Sequence, residues 1–398
     1  MKIVIQKFGG TSVATEEARK QVVNKIIGIK KNEEFPVVVV SAMGRVGAPY
    51  ATDTLLNFVG SVAGEINDRE YDMLLACGEI ISAVTMATLL NNIGYKAIAL
   101  TGGQSGIITD NYHKNADLLY ARPEKILKCI EQGIIPVVAG FQGMTVDGEV
   151  TTLGRGGSDT TASMLGGALK ADRIEIFTDV DGIMTADPRV CEKANIIPAI
   201  SYNEIFQMAD SGAKVIHPRA VEYAMRANIP VVIKNTFSEA EGTYIVQSVR
   251  NMEQNMQHRV ITGVAHRCNR IQFKIIDNVL ADIDLLQEIA KAEISIDLIN
   301  IFPDYKVFTI DKECVGKLED LLKSKSFEYS VIEKCCKVTV IGERMTGVPG
   351  VMARIVKAFA KAGIEILQTA DSLTTIGCLI KEEKVSHAVN ALHDEFGL

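Results

Sequence analysis

The sequence contains no Cys-x-x-Cys pair and no run of basic residues. It also has no apolar stretch of the roughly 18 residues that would span a bilayer. The first absence argues against zinc ribbons and thioredoxin-like sites, and the six histidines show no ligand spacing, so no metal site is predicted. The absence of basic runs, with a formal net charge of −7, argues against nucleic acid as a partner.

The N-terminus does not have the composition of a signal peptide, so we expect a cytoplasmic protein that does not enter a membrane. The eight cysteines are scattered along the chain. We therefore expect all eight to be reduced thiols that pack as small hydrophobic side chains.

The first two thirds of the chain alternate apolar runs with helical segments. The runs are continuous rather than alternating, which is typical of strands buried on both faces. This order predicts a mainly parallel sheet sandwiched by helices, with ligands at the carboxyl ends of the strands. The predicted strands cover 3–5, 37–40, 97–100, 135–139, 174–177 and 231–233, and the predicted helices 16–31, 72–93, 123–132, 159–170, 202–210 and 219–227.

The turn after the first strand reads Lys7-Phe8-Gly9-Gly10-Thr11-Ser12-Val13. Its paired glycines would let a phosphate approach the backbone, and Lys7 is a point charge suited to phosphate oxygens. The turn matches neither the Walker pattern nor the dinucleotide pattern Gly-x-Gly-x-x-Gly. A plain tight turn also explains the glycines. Small or polar residues follow four more of the predicted strands, however, and all five loops should lie at one edge of the sheet.

The most informative loop covers residues 151–161, Thr-Thr-Leu-Gly-Arg-Gly-Gly-Ser-Asp-Thr-Thr. Ser158 and Asp159 could simply cap the following helix. A cap needs only one of them, however, and does not explain the glycines. Arg155 offers a planar fork that can hold a carboxylate by two hydrogen bonds. We therefore interpret the loop as functional, with Asp159 orienting basic residues that contact phosphate.

Three other features remain open on the residues alone. Asp179 and Asp181 either form an acidic turn or face a purine, a ribose hydroxyl or Mg²⁺. Lys214 marks a predicted helix start, where a lone lysine is usually a solvated surface residue. Glu79, on an apolar helix, predicts a partly buried carboxylate whose partner is an ammonium group, a protein lysine or a helix cap.

Beyond a polar linker at 237–259 lies a weak internal repeat, in which the pattern of 290–296 recurs at 360–366. Each copy fits a βαββαβ order, but the second ends before its last strand. We infer that the strand at 260–265 completes the second sheet, so that the two modules are interleaved. The predicted domains are 1–236, 267–334, and 260–266 together with 335–398.

Residues 7–13, 152–159 and 178–182 together resemble the aspartate kinases of the amino-acid kinase family. The resemblance covers essentially the whole chain. It implies the amino-acid kinase fold followed by two interleaved ACT domains. It further implies transfer of phosphate from ATP, with Mg²⁺, to the side-chain carboxylate of L-aspartate, the first step of the diaminopimelate pathway to lysine, threonine and methionine. The chain looks most like the single-function, diaminopimelate-sensitive type.

The resemblance also implies a role for each motif residue. Arg155 would hold the α-carboxylate of aspartate, and Glu79 its α-ammonium group. The implied catalytic residues are Lys7, Gly10 and Asp159. The implied ATP-binding residues are Lys7, Gly9, Gly10, Thr178, Asp179, Met184, Arg189 and Lys214. The implied substrate-binding residues are Ser41, Thr52, Glu79, Phe141, Thr152, Arg155 and Ser158. The implied effector-binding residues are Met345, Gly347, Val348, Gly350 and Val351.

Two features depart from the family pattern. Met184 stands where relatives frequently have a tyrosine, and the loop 44–51 before Thr52 is longer than in some relatives.

A homodimer or larger homo-oligomer formed through the ACT domains is expected, with diaminopimelate, lysine or threonine as effector. The turn at 347–351 can also be read as a plain Gly/Pro turn. The alternative functions are a kinase of the same fold with another acceptor, such as glutamate, and a non-catalytic amino-acid sensor.

Overall fold

The computed structural model describes residues 2–213, 216–249, 260–276, 282–343, 345 and 347–398. The chain forms two compact units. The first comprises Met1–Ile183, Ile196–Tyr202 and Lys214–Asn255, and the second comprises Met184–Asn195, Asn203–Ala213 and Met256–Leu398. Two short segments of the predicted first domain therefore belong to the second unit.

The regular elements follow the predicted alternation of strands and helices. The strands are β1 Ile3–Phe8, β2 Phe35–Val40, β3 Ala97–Leu100, β4 Ile107–Thr109, β5 Leu118–Ala121, β6 Ile135–Ala139, β7 Gln142–Thr145, β8 Val150–Thr152, β9 Arg173–Thr178, β10 Ala199–Ser201, β11 Val231–Asn235, β12 Thr243–Val246, β13 Gly263–Ile276, β14 Asp297–Ile301, β15 Tyr305–Asp311, β16 Glu328–Ile341, β17 Gln368–Asp371 and β18 Thr375–Lys381. The α-helices are α1 Glu16–Lys31, α2 Thr52–Ala63, α3 Asp68–Asn92, α4 Glu124–Glu131, α5 Gly157–Leu169, α6 Tyr202–Asp210, α7 Pro218–Ala227, α8 Asp282–Lys291, α9 Val315–Ser324, α10 Val351–Lys361 and α11 Val385–Phe396.

The main sheet of the first unit has the order β10-β12-β11-β9-β1-β2-β6-β3. Its six strands from β11 to β3 are parallel to one another. Strand β12 pairs antiparallel with β11, and β10 pairs parallel with β12. The predicted mainly parallel sheet is thus confirmed. The central strand β1 is buried from Val4 to Phe8, as its continuous apolar pattern indicates. The carboxyl ends of β1, β2, β6 and β9 consequently lie at one edge.

Local sequence explains where the helices begin and which face they bury. Thr15 caps α1 by accepting a hydrogen bond from the Ala18 N–H at 3.1 Å. Acidic residues occupy the first turn of α1 and lysines its last, which complements the helix dipole. Val22 and Ile26, four residues apart, are buried in the core.

Helix α3 corrects a prediction, because by length and composition it could cross a membrane, whereas no such stretch was expected. Half of its most apolar window is buried inside the protein. It also carries the buried carboxylates Asp72 and Glu79. These features are those of a core helix.

One helix and six short strands of the first unit were not predicted, among them β10. Helix α2 occupies a region read as loop, and a small four-stranded sheet, β5-β4-β7-β8, stands beside the main one. Strand β12 lies within the predicted linker at 237–259 and joins the main sheet. All of these strands have only three or four residues. Such short segments show no periodicity, and pairing with neighbours stabilises them instead.

The second unit is built on the sheet β14-β15-β13-β16-β18-β17. Residues Gly263 to Arg267 of β13 pair with Lys337 to Ile341 of β16, and that same half of β16 pairs with β18. The other half of β13 pairs with β15. The strand inferred from the incomplete repeat therefore pairs with the second copy.

All eight cysteines are free, as expected. Five of them are buried, whereas Cys77 is exposed on α3, so the expectation of packed thiols is wrong for that residue.

Candidate active site

A cavity of about 720 Å³ lies in the first unit, among residues at and after the carboxyl ends of β1, β2 and β6. Ten residues singled out from the sequence line it: Lys7, Gly10, Ser41, Thr52, Glu79, Phe141, Thr152, Arg155, Ser158 and Asp159. The first and the last of them, Lys7 and Asp159, are more than 150 residues apart in the chain. The parallel sheet brings them to one edge. The cationic lining residues are Lys7, Arg45, Lys114 and Arg155, and the acidic ones are Asp53, Glu79 and Asp159. This lining suits an anionic ligand that also carries a positive group.

Lys7 stands at the end of β1 and is only 9% exposed. Its Nζ lies 2.6 Å from Oδ1 of Asp159, which belongs to the first turn of α5. Gly10 follows in the same turn, and a Cβ there would lie 2.7 Å from the Gly44 carbonyl oxygen. Only glycine lets the turns after β1 and β2 approach so closely, which places the turn backbone beside Lys7.

Glu79 lies on α3 and is 4% exposed, which is more buried than the sequence predicted. Its Oε1 accepts a hydrogen bond from the Ala42 N–H at 3.1 Å. Its Oε2 is buried and has no hydrogen-bond partner in the part of the chain that the structure describes. Burial raises the pKa of Glu79 to about 8, because the charged form loses its hydration. A carboxylate oxygen left unsatisfied beside a cavity can bind an ammonium group.

The functional reading of the 151–161 loop is strengthened by the way α5 begins. Its N-cap is Gly156, and no side chain caps the helix. Ser158 and Asp159 lie inside its first turn, so capping does not account for them. Asp159 faces Lys7 instead.

The glycines on either side of Arg155 have a steric explanation. Gly154 and Gly156 adopt φ values of +73° and +67°, in the left-handed region that other residues avoid. A Cβ on Gly154 would lie 2.6 Å from Asn115 Oδ1, and one on Gly156 would lie 2.2 Å from the His217 Cβ. Arg155, between these glycines, is exposed. Its guanidinium forms no ion pair with any of the described residues. Its guanidinium is therefore available to a ligand carboxylate.

Asp72 is a buried residue of the site that the sequence did not reveal. It lies on α3, two turns before Glu79, and is fully buried. Its carboxylate accepts hydrogen bonds from the Thr152 hydroxyl at 2.5 Å and the Lys114 N–H at 3.0 Å, and it lies 2.8 Å from His113 Nδ1. It thereby holds two lining segments against α3. The spacing of seven residues from Glu79 was the available signal, since it puts both carboxylates on one face of the helix.

We expect Asp72→Asn to lower the free energy of unfolding by about 1.5–3 kcal/mol, because an amide cannot accept from all the donors that converge on Asp72. Urea unfolding would measure the change. Asp68→Asn, at an exposed ion pair on the same helix, is the control and should cost no more than about 1 kcal/mol. Equal, small effects of the two substitutions would contradict the structural role of Asp72.

Three of the predicted ATP-binding residues do not line the cavity, although they lie at the same edge of the sheet. The Gly9 N–H donates to the Phe177 carbonyl at 3.3 Å. Thr178 ends β9, and Asp179 follows it. Asp179 contacts Arg45, a residue that lines the cavity: Nη2 of Arg45 lies 2.8 Å from Oδ2 of Asp179. Arg45 was not predicted, because an exposed arginine in a long loop carries no sequence signal.

The remaining ATP-binding predictions fall elsewhere. Met184 and Arg189 belong to the second unit. The Arg189 side chain is 87% exposed and forms an ion pair with Asp187. Lys214 lies outside the described residues, so its predicted role stays a prediction.

The predicted effector residues also belong to the second unit, at and just before the start of α10 at Val351. Gly347 and Gly350 adopt φ values of +78° and +91°. Met345 is buried, whereas Val348 is 41% exposed. The predicted strand-to-helix turn is therefore present, and its role as a binding site stays a prediction.

Comparison with known proteins agrees with the fold. The model of the amino acid kinase family matches residues 2–235, and a model of the ACT domain matches residues 330–394. The first match covers more than half of the chain and contains every residue that lines the cavity. The class of protein is thus a small-molecule kinase with a C-terminal ACT region.

Full-length relatives narrow this class. Aspartokinase 1 of Bacillus subtilis is 44% identical over the whole of both chains, and the aspartokinase of Mycolicibacterium smegmatis is 39% identical over all of this chain and 97% of its own. The crystal structure of Escherichia coli aspartokinase III in complex with aspartate and ADP covers both chains fully, with 25% identity and a TM-score of 0.78. The chain belongs to the aspartokinases of the amino acid kinase family.

Proposed function

We propose that this chain transfers the γ-phosphoryl group of ATP to the side-chain carboxylate of L-aspartate, giving ADP and 4-phospho-L-aspartate. The observation that carries the proposal is that Lys7, Glu79 and Arg155 line one cavity. A phosphoryl-facing cation, an ammonium acceptor and a carboxylate fork are the three groups that this reaction requires. The names of the full-length relatives support the same activity.

The chemistry requires little from the protein beyond placement and charge. The aspartate side chain is ionised at neutral pH and attacks without a general base. Phosphoryl transfer then depends on aligning the two substrates and stabilising charge on the transferring group. We assign this stabilisation to Lys7, which Asp159 holds in place, and to backbone N–H groups near Gly10.

Two residues bind the two α-substituents of aspartate. Arg155 binds the α-carboxylate through two parallel hydrogen bonds. Glu79 binds the α-ammonium group, which satisfies its buried Oε2. We assign the surrounding wall of the substrate pocket to Ser41, Thr52, Phe141, Thr152 and Ser158.

For the nucleotide we propose Gly9, Thr178 and Asp179, as the family resemblance implies; the roles that it implies for Met184, Arg189 and Lys214 stay predictions. No group of three or more acidic, histidine or cysteine side chains that could hold a metal ion is found in the described ranges. We propose that Mg²⁺ is bound mainly by the ATP phosphates, whose charge it offsets.

The test is ADP release in a coupled assay with L-aspartate and L-glutamate in parallel. We expect turnover with aspartate and weak turnover with glutamate. Glutamate is longer by one methylene, and a pocket discriminates such a difference by only about 1–3 kcal/mol, or roughly 10–200-fold. Preference for glutamate would identify a kinase with another acceptor. No ADP release with either substrate would identify a sensor and refute the proposal.

We further propose that residues 1–236 carry catalysis and that the ACT region at 260–398 carries feedback by an amino acid of the pathway and homodimer formation. The reaction is then the first step toward diaminopimelate, lysine, threonine and methionine. A cytoplasmic location, where ATP and free aspartate meet, follows from this role.

Titration with diaminopimelate, lysine, threonine and methionine should show that at least one of them weakens aspartate binding by about 5–150-fold, a coupling of about 1–3 kcal/mol. Val348→Glu should lose that response, because it puts a negative charge beside the proposed site for the effector carboxylate. A response that is flat for all four compounds would remove the regulatory proposal.

A further inference from the structure

A second arginine lies behind the loop that carries Arg155. Arg219 is in the first turn of α7, and its side chain is only 16% exposed. Its Nη1 donates to the Leu153 carbonyl at 2.7 Å, and its Nη2 donates to the Ala116 carbonyl at 2.5 Å. The same nitrogen pairs with the Asp117 carboxylate. One guanidinium thus joins α7 to two backbone segments, at 116–117 and at 153, each of which adjoins residues that line the cavity.

The residues beside Arg219 press on the same loop. His217, the residue before α7, fills the space that the missing Cβ of Gly156 leaves. Asn115 fills the corresponding space at Gly154, and its Oδ1 lies 3.4 Å from Arg219 Nη1. Arg155 stands between these two glycines. The backbone on both sides of Arg155 is therefore fixed by contacts with Asn115, His217 and Arg219. The Arg155 side chain itself forms no hydrogen bond with any described residue.

We propose that Arg219 is a positioning residue that acts through Arg155, holding the 153–156 loop so that the Arg155 guanidinium meets the α-carboxylate of the amino-acid substrate. The inference rests on the proposed function, because it assumes that Arg155 binds that carboxylate. A flexible glycine-containing loop loses conformational entropy when it becomes ordered on binding. Arg219 lowers this cost by ordering the loop beforehand.

The chemistry of Arg219 explains why another cation would not serve. Two carbonyl groups and a carboxylate converge on it from different segments, and a planar fork of fixed geometry meets all three at once. A lysine has one nitrogen and reaches at most part of this set. Arg219→Lys therefore keeps the positive charge and removes most of the contacts that join α7 to the 116–117 and 153 segments.

The experiment is a double-mutant cycle of Arg219→Lys with Arg155→Ala, measured as kcat/KM for aspartate. We expect Arg219→Lys alone to lower kcat/KM roughly tenfold, through KM for aspartate, with kcat and KM for ATP nearly unchanged. In the Arg155→Ala background the same substitution should cost less than about twofold, because the residue through which it acts is gone. Additive losses would overturn the proposal.

Arg226→Lys is the matched control, since Arg226 lies on the same helix in an exposed ion pair with Glu222 and should be without effect. Arg219→Gln is a second variant, and thermal unfolding checks both. An equal rise in KM for ATP, or failure of both variants to fold, would make Arg219 a general structural residue and overturn the inference. If the wild-type enzyme released no ADP with aspartate, the proposed function would fail; an active wild type with an additive cycle would refute the inference alone.

Discussion

Lys7→Ala is expected to lower the turnover number for aspartate by about 10²–10³-fold or more, by analogy with the loss of one preorganised donor in other enzymes. The reason is electrostatic. Lys7 is nearly buried, and Asp159 holds its Nζ at 2.6 Å beside the turn at Gly10. Removing the cation leaves the Asp159 charge facing an incoming polyphosphate, so an attraction is replaced by a repulsion. Single-turnover measurement of ADP formation at saturating substrates would isolate this step from product release.

Lys25→Ala is the matched control for this experiment. Lys25 is also a largely buried lysine of the first unit, and its ion pair with Glu239, at 2.7 Å, has nearly the same length. It does not line the cavity, so we expect near-normal turnover. Wild-type turnover in Lys7→Ala would refute the assignment of Lys7. An equal loss in both variants would indicate a general effect on folding.

Glu79→Gln is expected to lower kcat/KM for aspartate by roughly 10²–10³-fold at pH 8.5, because a buried carboxylate–ammonium contact is replaced by an amide contact. The effect should depend on pH. Burial raises the pKa of Glu79 to about 8 in the free protein, whereas binding of an ammonium group favours the charged form. Below pH 8 the substrate must displace a proton from Glu79. Wild-type kcat/KM should therefore fall by up to about tenfold for each pH unit below 8, and the variant should show no such slope.

Glu70→Gln, at an exposed position of the same helix, should leave the pH profile unchanged. Stability offers an independent readout. With a native pKa of about 8 and an unfolded value near 4.5, the folded state binds more protons than the unfolded state between these values. The free energy of unfolding contributed by Glu79 therefore falls as pH rises from about 4.5 to 8, and Glu79→Gln should abolish that fall. A wild-type profile with no slope below pH 8 would contradict the raised pKa of Glu79, and unchanged kcat/KM in Glu79→Gln at pH 8.5 would contradict its assignment.

The predictions that succeeded rested on patterns that need no knowledge of neighbouring elements. Continuous runs of β-branched residues such as Val37–Val40 predict doubly buried strands, because such residues favour strands and an uninterrupted apolar pattern needs burial on both faces. The surplus glycines around Arg155 have a steric cause in Asn115 and His217, whereas the functional role predicted for that loop stays a prediction. The incomplete repeat predicted that residues 260–265 would pair with the second module, because an unpaired strand leaves backbone groups unsatisfied.

The failures share a different physical cause. Asp72, Arg45 and Arg219 are single polar residues without a motif, and each gains its role from partners between about 40 and 134 positions away in the chain. Strand β12 was read as linker because four residues carry no periodicity. Contacts of this kind exist only once the chain has folded.

By itself, then, the sequence determined the parallel sheet, the glycine-containing loops at its edge, the interleaved modules and, through three motifs, the family. Only the tertiary structure decided that Glu79 is left with one unsatisfied oxygen, that Asp72 ties two walls to one helix, and that Arg219 supports the loop of Arg155. Periodicity and glycine placement are properties of short stretches and can be read directly. Burial and hydrogen-bond satisfaction depend on residues that only folding brings together.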